Sequence, residues 1–276
     1  MRAAIRTMAI AALLLGACGD KKPAADKPAD PPAAVAKPTT PTTPPKPAAP
    51  TCAAGMALLD GGSFTSKRGG AAKLDGFCLD QSEVTVAAYQ ACVDGGACTE
   101  PDREAGESCN WGASGDPPEV KRGEHPVNCV DHAQAVTYCE AQGRRLPTAD
   151  ELEWAQRGGA AATIYPWGND EAPSRICADA AKHADYPRAP VTCAVGACAA
   201  SDSPHKIHDL SGNLAEWTAT STGEQRLVCG GQTSCQHGSV PKIREALAAG
   251  ACLGQDATQK FEGVGFRCAG STTASR

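Results

Sequence analysis

Aromatic side chains are scarce in this chain. Four each of Phe, Tyr and Trp make up 4% of its 276 residues, and there are only three Met. A core made from such a sequence must rely on small and aliphatic side chains and on crosslinks. No apolar run reaches the about 20 residues that a membrane-spanning helix needs; the longest N-terminal one is Met8 to Leu15. No Cys-x-x-Cys pair occurs, which argues against a zinc ribbon or knuckle. There is no phosphate-binding Gly-rich loop and no Gly-x-Ser-x-Gly elbow. Basic residues do not cluster and the formal net charge is −5, so nucleic acid is excluded as a natural partner.

What the N-terminus does contain is a short positive region, Arg2 and Arg6, followed by the Met8–Leu15 apolar run. This is the layout of a secretory signal peptide. The run ends Leu15-Gly16-Ala17-Cys18, which resembles a bacterial lipobox. The expectation is a signal peptide at 1–17 and a lipid on the Cys18 thiol, because two or more acyl chains give stable anchoring. Gly19, rather than Asp, follows the cysteine and favours outer-membrane sorting. The expected location is the cell envelope, as a periplasmic or surface lipoprotein.

Ten of the thirty residues from 21 to 50 are Pro, and Val35 is the one large apolar side chain among them. Proline-rich chain is an extended, semi-rigid spacer at about 3.1 Å per residue, so residues 18–51 form a tether with a reach of roughly 90 Å. The domain expected to fold spans 52–270, with a short tail at 271–276. Fifteen cysteines are present, and setting Cys18 aside leaves fourteen, an even number. In an exported domain these predict disulfides.

Three helices are expected. Glu83 to Val93 has helical spacing, with Val86, Tyr89, Gln90 and Val93 near one face. His132 to Gln142 is ended by Gly143. Thr148-Ala-Asp-Glu151 is a capping box that opens a third helix, stopped by Gly158-Gly159. Ala57–Leu59, Leu227–Val228 and Gly265–Cys268 are expected as strands, and much of the rest as irregular chain.

Seven segments then carry a resemblance, in order along the chain. They are Gly55-Met56 through Gly61-Gly62-Ser-Phe64; Phe77-Cys-Leu-Asp80-Gln-Ser-Glu83-Val-Thr85; His125-Pro126-Val127 with Tyr138-Cys139; Arg145-Leu146-Pro147-Thr148 and the helix to Arg157-Gly158; Tyr165-Pro166-Trp167-Gly168-Asn169; Asp209-Leu-Ser-Gly212-Asn213-Leu-Ala-Glu216-Trp217; and Gly230-Gly231 with Gly265-Phe266-Arg267-Cys268. Together they resemble the formylglycine-generating enzyme family, the sulfatase-modifying factors. The resemblance implies one compact α+β domain with a C-type-lectin-like fold and limited regular structure.

The same resemblance locates the active positions and shows them altered. The family's oxidases use two cysteines five residues apart to hold copper(I) and convert a substrate cysteine to formylglycine. Soft thiolates suit that ion, and one alone holds it poorly. Here Cys235 stands at the first position and Val240 at the second; Gln232 replaces the serine of the Gly-Gly-Ser turn, and Ala215 replaces a tryptophan that shapes the substrate pocket. Cys235 is expected to be a disulfide partner, of Cys229 or Cys252. His237 in the same loop is either a replacement ligand or a solvated side chain. The family's structural calcium site is better kept. Asp209 and Glu216 would supply carboxylate oxygens, and Gly212 and Leu214 backbone carbonyls, a hard-oxygen mixture that suits calcium. The alternative is that Asp209 caps a turn and Glu216 forms a core salt bridge. His205 and His208 are expected at the surface.

By resemblance Cys139 should bond Cys268. Cys92 and Cys98 flank a loop short enough to close locally, and Cys193 and Cys198 look similar. Cys52 with Cys78 and Cys109 with Cys129 complete the expected pairs. Two functions follow. One is a non-catalytic binding or envelope-structural module whose ligand is a protein, peptide or glycan. The other is a copper-dependent oxidase acting through Cys235.

Overall fold

The computed structural model describes residues 49–112, 122–170, 192–231 and 245–274, all within a compact unit spanning Pro47–Arg276. In chain order the strands are β1 (Pro50–Thr51), β2 (Met56–Leu59), β3 (Gly62–Thr65), β4 (Ala71–Leu74) and β5 (Phe77–Asp80). Then come helices α1 (Val86–Asp94), α2 (His132–Ala141) and α3 (Ala149–Gln156). Strands β6 (Ala215–Thr222), β7 (Gln225–Cys229), β8 (Cys252–Gln255), β9 (Val264–Gly265), β10 (Ala269–Ser271) and β11 (Thr273–Ala274) follow. The α+β class with much irregular chain matches the expectation. Among the described residues no helix is long and apolar enough to cross a membrane.

Two small sheets bring the ends of the domain together. β5 is buried along its whole length and lies between β2 and β10, antiparallel to both; β1 pairs with β11. The first and last strands are thus hydrogen-bonded neighbours. A four-stranded sheet has the order β8-β7-β6-β9, with β9 parallel to β6.

The scarce aromatics are concentrated where the core needs volume. Tyr89, Tyr138, Phe266 and Trp217 are buried in one cluster with Val127, Val130 and Val264. Tyr89 and Tyr138 stack at 5.5 Å between centroids, and Phe266 meets Tyr138 edge-on at 5.4 Å. Such pairs contribute about 0.5–1.5 kcal/mol beyond burial. A second cluster gathers Leu59, Leu79, Leu152, Trp154, Ile207 and Leu210.

Crosslinks supply much of the rest. The bridges Cys52–Cys78, Cys92–Cys98, Cys109–Cys129 and Cys139–Cys268 form as expected. Two expectations are corrected. Cys229 and Cys252 stand opposite each other on β7 and β8 and bond one another, so neither is a partner for Cys235, which lies outside the described residues. Cys193 is disulfide-bonded, but Cys198 is not its partner.

Helix α3 starts where its capping box dictates. The Thr148 hydroxyl accepts from the Glu151 N–H, and the Glu151 carboxylate accepts from the Thr148 N–H. Arg145 holds the same carboxylate through two N–H groups at 2.7 and 2.5 Å. Gly158 and Gly159 end the helix at φ 64° and 63°. Helix α1 begins at Val86, three residues later than its periodicity suggests. Thr85 is its N-cap, accepting from the Ala88 N–H, and Glu83 is drawn elsewhere. Gln90 is exposed and donates to Asp94 rather than facing the core. Of the expected Gly265–Cys268 strand only Gly265 is strand, at the end of β9, and the buried Phe266 and Arg267 follow it.

Candidate functional site

The Asp209–Leu214 segment makes a tight turn before β6, and Glu216 is in that strand. Asp209 and Asn213 sit in the left-handed region at φ 53° and 54°, and Gly212 at φ 106°. Asn and Asp tolerate this conformation better than most residues, and clusters of such backbone mark functional sites. Gly230 is equally constrained. At φ 107°, a Cβ there would stand 3.2 Å from the Leu210 carbonyl oxygen, so the Gly-Gly turn after β7 packs directly on the Asp209–Leu214 turn. The Gly212 N–H donates to the Gly230 carbonyl at 3.0 Å. Gln156, the last residue of α3, donates to the Leu210 carbonyl at 2.7 Å and accepts from the Gly250 N–H. Helix, turn and the segment leading to β8 are thereby tied at one point.

Buried charge defines the interior of this site. Arg267 is fully buried and its guanidinium donates three bonds of 2.7–2.9 Å to the Glu216 carboxylate. It also donates to the backbone carbonyls of Asp80 and His208. Glu83, 2% exposed, accepts from the Asn213 amide at 2.6 Å and from the Leu214 N–H at 3.0 Å. Asp209 accepts from the Gly196 N–H at 2.7 Å. Asp80 accepts from Arg144 at 2.6 Å and from the Cys268 N–H at 2.9 Å.

Four carboxylates therefore converge on two arginines. Burial raises the pKa of Glu83 well above the ordinary value, and the Asp209 and Glu216 charges push it further up. Burial also raises Glu216 against the pull of Arg267, and raises Asp209 against the Gly196 N–H. The surplus of buried negative charge suits a hard divalent cation. Glu216 forms the core salt bridge that the sequence left open as its alternative, with Arg267; such an ion would have to share its carboxylate, with Asp209 and the Gly212 and Leu214 carbonyls completing the set. Among the described residues no three His, Cys, Asp or Glu side chains form a metal-binding group.

Asp209, Gly212 and Leu214 lie in the turn and Glu216 in β6, with Glu83 bonded to Leu214 and Arg267 to Glu216. In the sequence Glu83 reads as the start of a helix and as part of a motif, not as a member of this centre. Its partners lie 130 and 131 residues away, and no local spacing points to them. The surface expectation fails for His208. Its ring is partly buried and its Nδ1 lies 2.7 Å from Asp202 Oδ1. Cys235, Val240, Gln232 and His237 lie outside the described residues. Ala215 lines a cavity of about 560 Å³ together with Val228, Gly231 and Leu253.

A disulfide-stapled α+β domain with joined ends, a Gly-Gly turn and a buried acid–arginine centre defines the class. The chain belongs to the family described as the sulfatase-modifying factor enzyme 1-like domain, whose model matches residues 41–272. The chain is 31% identical over 166 residues to the inactive C-alpha-formylglycine-generating enzyme 2 of Mus musculus, covering 54% of this chain and 50% of that protein. It is 29% identical over 174 residues to the formylglycine-generating enzyme of Thermomonospora curvata, covering 54% of this chain and 56% of that one. The matches thus span about half the length of these curated relatives. The structure of PvdO from Pseudomonas aeruginosa superposes with a TM-score of 0.58 at 18% identity, covering 83% of this chain and all of that one, and shows the shared fold.

Proposed function

We propose that this protein is a non-catalytic member of the family, a binding or envelope-structural module carried on a membrane-anchored stalk. The observation that carries this is Val240, which stands where the family's second copper-binding thiol belongs and cannot ligate a metal. Ala215, in place of the pocket tryptophan, supports it by leaving a cavity where a substrate wall is expected. Inactive relatives occur among its matches. In this reading residues 1–17 are removed, Cys18 carries the lipid, and 18–51 hold the 52–270 domain away from an outer-membrane surface. Calcium at Asp209, Gly212, Leu214 and Glu216 would act structurally, neutralising the buried carboxylates and bracing the turn.

The test is direct. The chain is expressed into an oxidising periplasm and incubated with copper(I), oxygen and a cysteine-containing peptide. The expected result is no aldehyde in the peptide by mass spectrometry. Aldehyde formation that is lost in Cys235→Ser would instead establish a copper-dependent oxidase. Alkylation without reduction, read in the same samples, should find Cys235 in a disulfide.

A further inference from the structure

A separate cavity of about 300 Å³ opens between the β3–β4 hairpin, the C-terminal end of α3 and two loop segments, 163–164 and 248–249. Small-molecule sites run from about 300 to 1,000 Å³, so it is large enough for a small metabolite. Backbone bonds tie its walls together. The Ala249 N–H donates to the Ile164 carbonyl at 2.8 Å, and the Thr163 N–H to the Arg157 carbonyl at 3.0 Å. Glu153, 3% exposed, accepts from the Ser66 hydroxyl and the Lys67 N–H, which fixes the hairpin against the helix. The walls are thus held in place by the protein itself.

The lining carries two cations, Lys67 and Arg157, against one acid, Glu153. That acid is already engaged by Ser66, by the Lys67 N–H and by Arg68, which it shares with Asp150. Arg157 is poorly satisfied. A guanidinium has five N–H donors. The one hydrogen bond of Arg157 among the described residues is a long one, from Nη1 to the Thr65 carbonyl at 3.4 Å, and the same Nη1 lies 3.9 Å from Glu153. Its Nε is buried with no acceptor. Buried donors are almost always paired, so a guanidinium left in this state calls for an acceptor from outside the chain. The Lys67 side chain is exposed, and its ammonium makes no ion pair among the described residues. The rest of the lining is largely apolar. Ile164, 51% exposed, is one of two large apolar side chains left in solvent among the described residues, and Ala248 and Ala249 face the same space. A solvent-facing apolar side chain beside unpaired cations suits a ligand with an acidic head and an apolar body.

We infer that this cavity binds a small aliphatic carboxylic acid, its carboxylate held by the Lys67 ammonium and the unpaired N–H groups of Arg157 and its carbon chain laid on Ile164, Ala248 and Ala249. Hydrogen bonds between ionised groups are about twice as strong as neutral ones, which favours the carboxylate over an alcohol or amide of the same size. Glu153 in the same lining repels a second negative charge, so a monoacid fits better than a diacid. The inference goes beyond the function proposed above and does not depend on it, because none of these residues belongs to the Gly-Gly turn or to the acid–arginine centre.

The full chain is titrated with hexanoate, acetate, hexan-1-ol and hexylamine, and binding is read by saturation-transfer NMR. Hexanoate is expected to bind at least tenfold more tightly than hexan-1-ol or hexylamine and more tightly than acetate, with an affinity that falls as salt rises. Lys67→Gln and Arg157→Gln should each weaken hexanoate at least fivefold, and Ile164→Ser should reduce its advantage over acetate. Circular dichroism checks the fold of each variant. Lys67 and Ile164 are exposed, so their replacements keep the test valid even if Arg157→Gln fails to fold. Equal binding of hexanoate and hexylamine, hexanoate binding unchanged by Lys67→Gln, or no hexanoate binding at all overturns the inference.

Discussion

At the scale of single residues, the molecule is organised by charge in places where charge is costly. Arg267 has no solvent exposure and is the common counter-ion of Glu216 and, at longer range, of Glu83 and Asp209. Removing one partner of a buried pair strands the other, at about 3–5 kcal/mol. Arg267→Leu should therefore cost about that much in urea unfolding, and much more than replacing an exposed arginine such as Arg103. A pH dependence follows from the same cluster. Glu83, Asp209 and Glu216 are held above their ordinary values of 3.8–4.5. The folded chain keeps protons that the unfolded chain releases, so the contribution of these groups is full below the unfolded pKa values and is lost as pH rises through the raised ones. In calcium-free buffer the urea midpoint should decline as pH is raised from about 4.5 toward neutrality, and a midpoint that rises across this range would contradict the account. If calcium is held there as proposed, it takes the ionised carboxylates and should oppose the decline. A ligand at 100 times its Kd adds about 2.7 kcal/mol, so a calcium titration of the melting temperature, with Asp209→Asn as the variant that loses the response, tests the donor set.

At the scale of elements, local signals succeeded where the determinants were local. Both halves of the α3 capping box are visible within four residues of sequence and both bonds form. Thr148→Ala should cost about 1 kcal/mol in thermal or urea unfolding, the usual value of a lost N-cap. The cost should come without loss of the fold, because Arg145 and the buried face of α3 still hold the helix. Helix α1 shows where periodicity misleads. Glu83 lies on a helical pattern with Val86 and Tyr89, yet its carboxylate is needed 130 residues away at Asn213, and the helix begins only after Thr85 caps it. Strand edges gave weaker signals still. The four-residue β8 has no alternating pattern to mark it, and its place at the edge of the sheet follows from the Cys229–Cys252 pairing with β7.

At the scale of the whole molecule, crosslinks and joined ends stand in for aromatic mass. The Cys139–Cys268 bridge closes 129 residues and lies beside the β5–β10 pairing that unites the two ends of the domain. Loop-closure entropy makes such long bridges the most stabilising, at about 4–5 kcal/mol. Cys139→Ser with Cys268→Ser should lower the urea midpoint more than the Cys92–Cys98 double replacement, which closes a separation of only six residues. If the chain is tethered as proposed, Cys18→Ser should shift it from the membrane fraction to the soluble periplasm, detected by fractionation and immunoblotting.

The sequence by itself determined the elements whose causes are near neighbours: the α3 cap, the helix stops at glycine, the Cys92–Cys98 closure, and the ordered motifs that mark the family. It also carried the four candidate calcium ligands, since they occupy eight consecutive residues. Only the tertiary structure decided that Glu83 and Arg267 complete that centre and that Cys229 bonds Cys252. The reason is physical: hydrogen bonds, ion pairs and disulfides between residues far apart in the chain depend on how the elements pack, and no spacing along the chain encodes them.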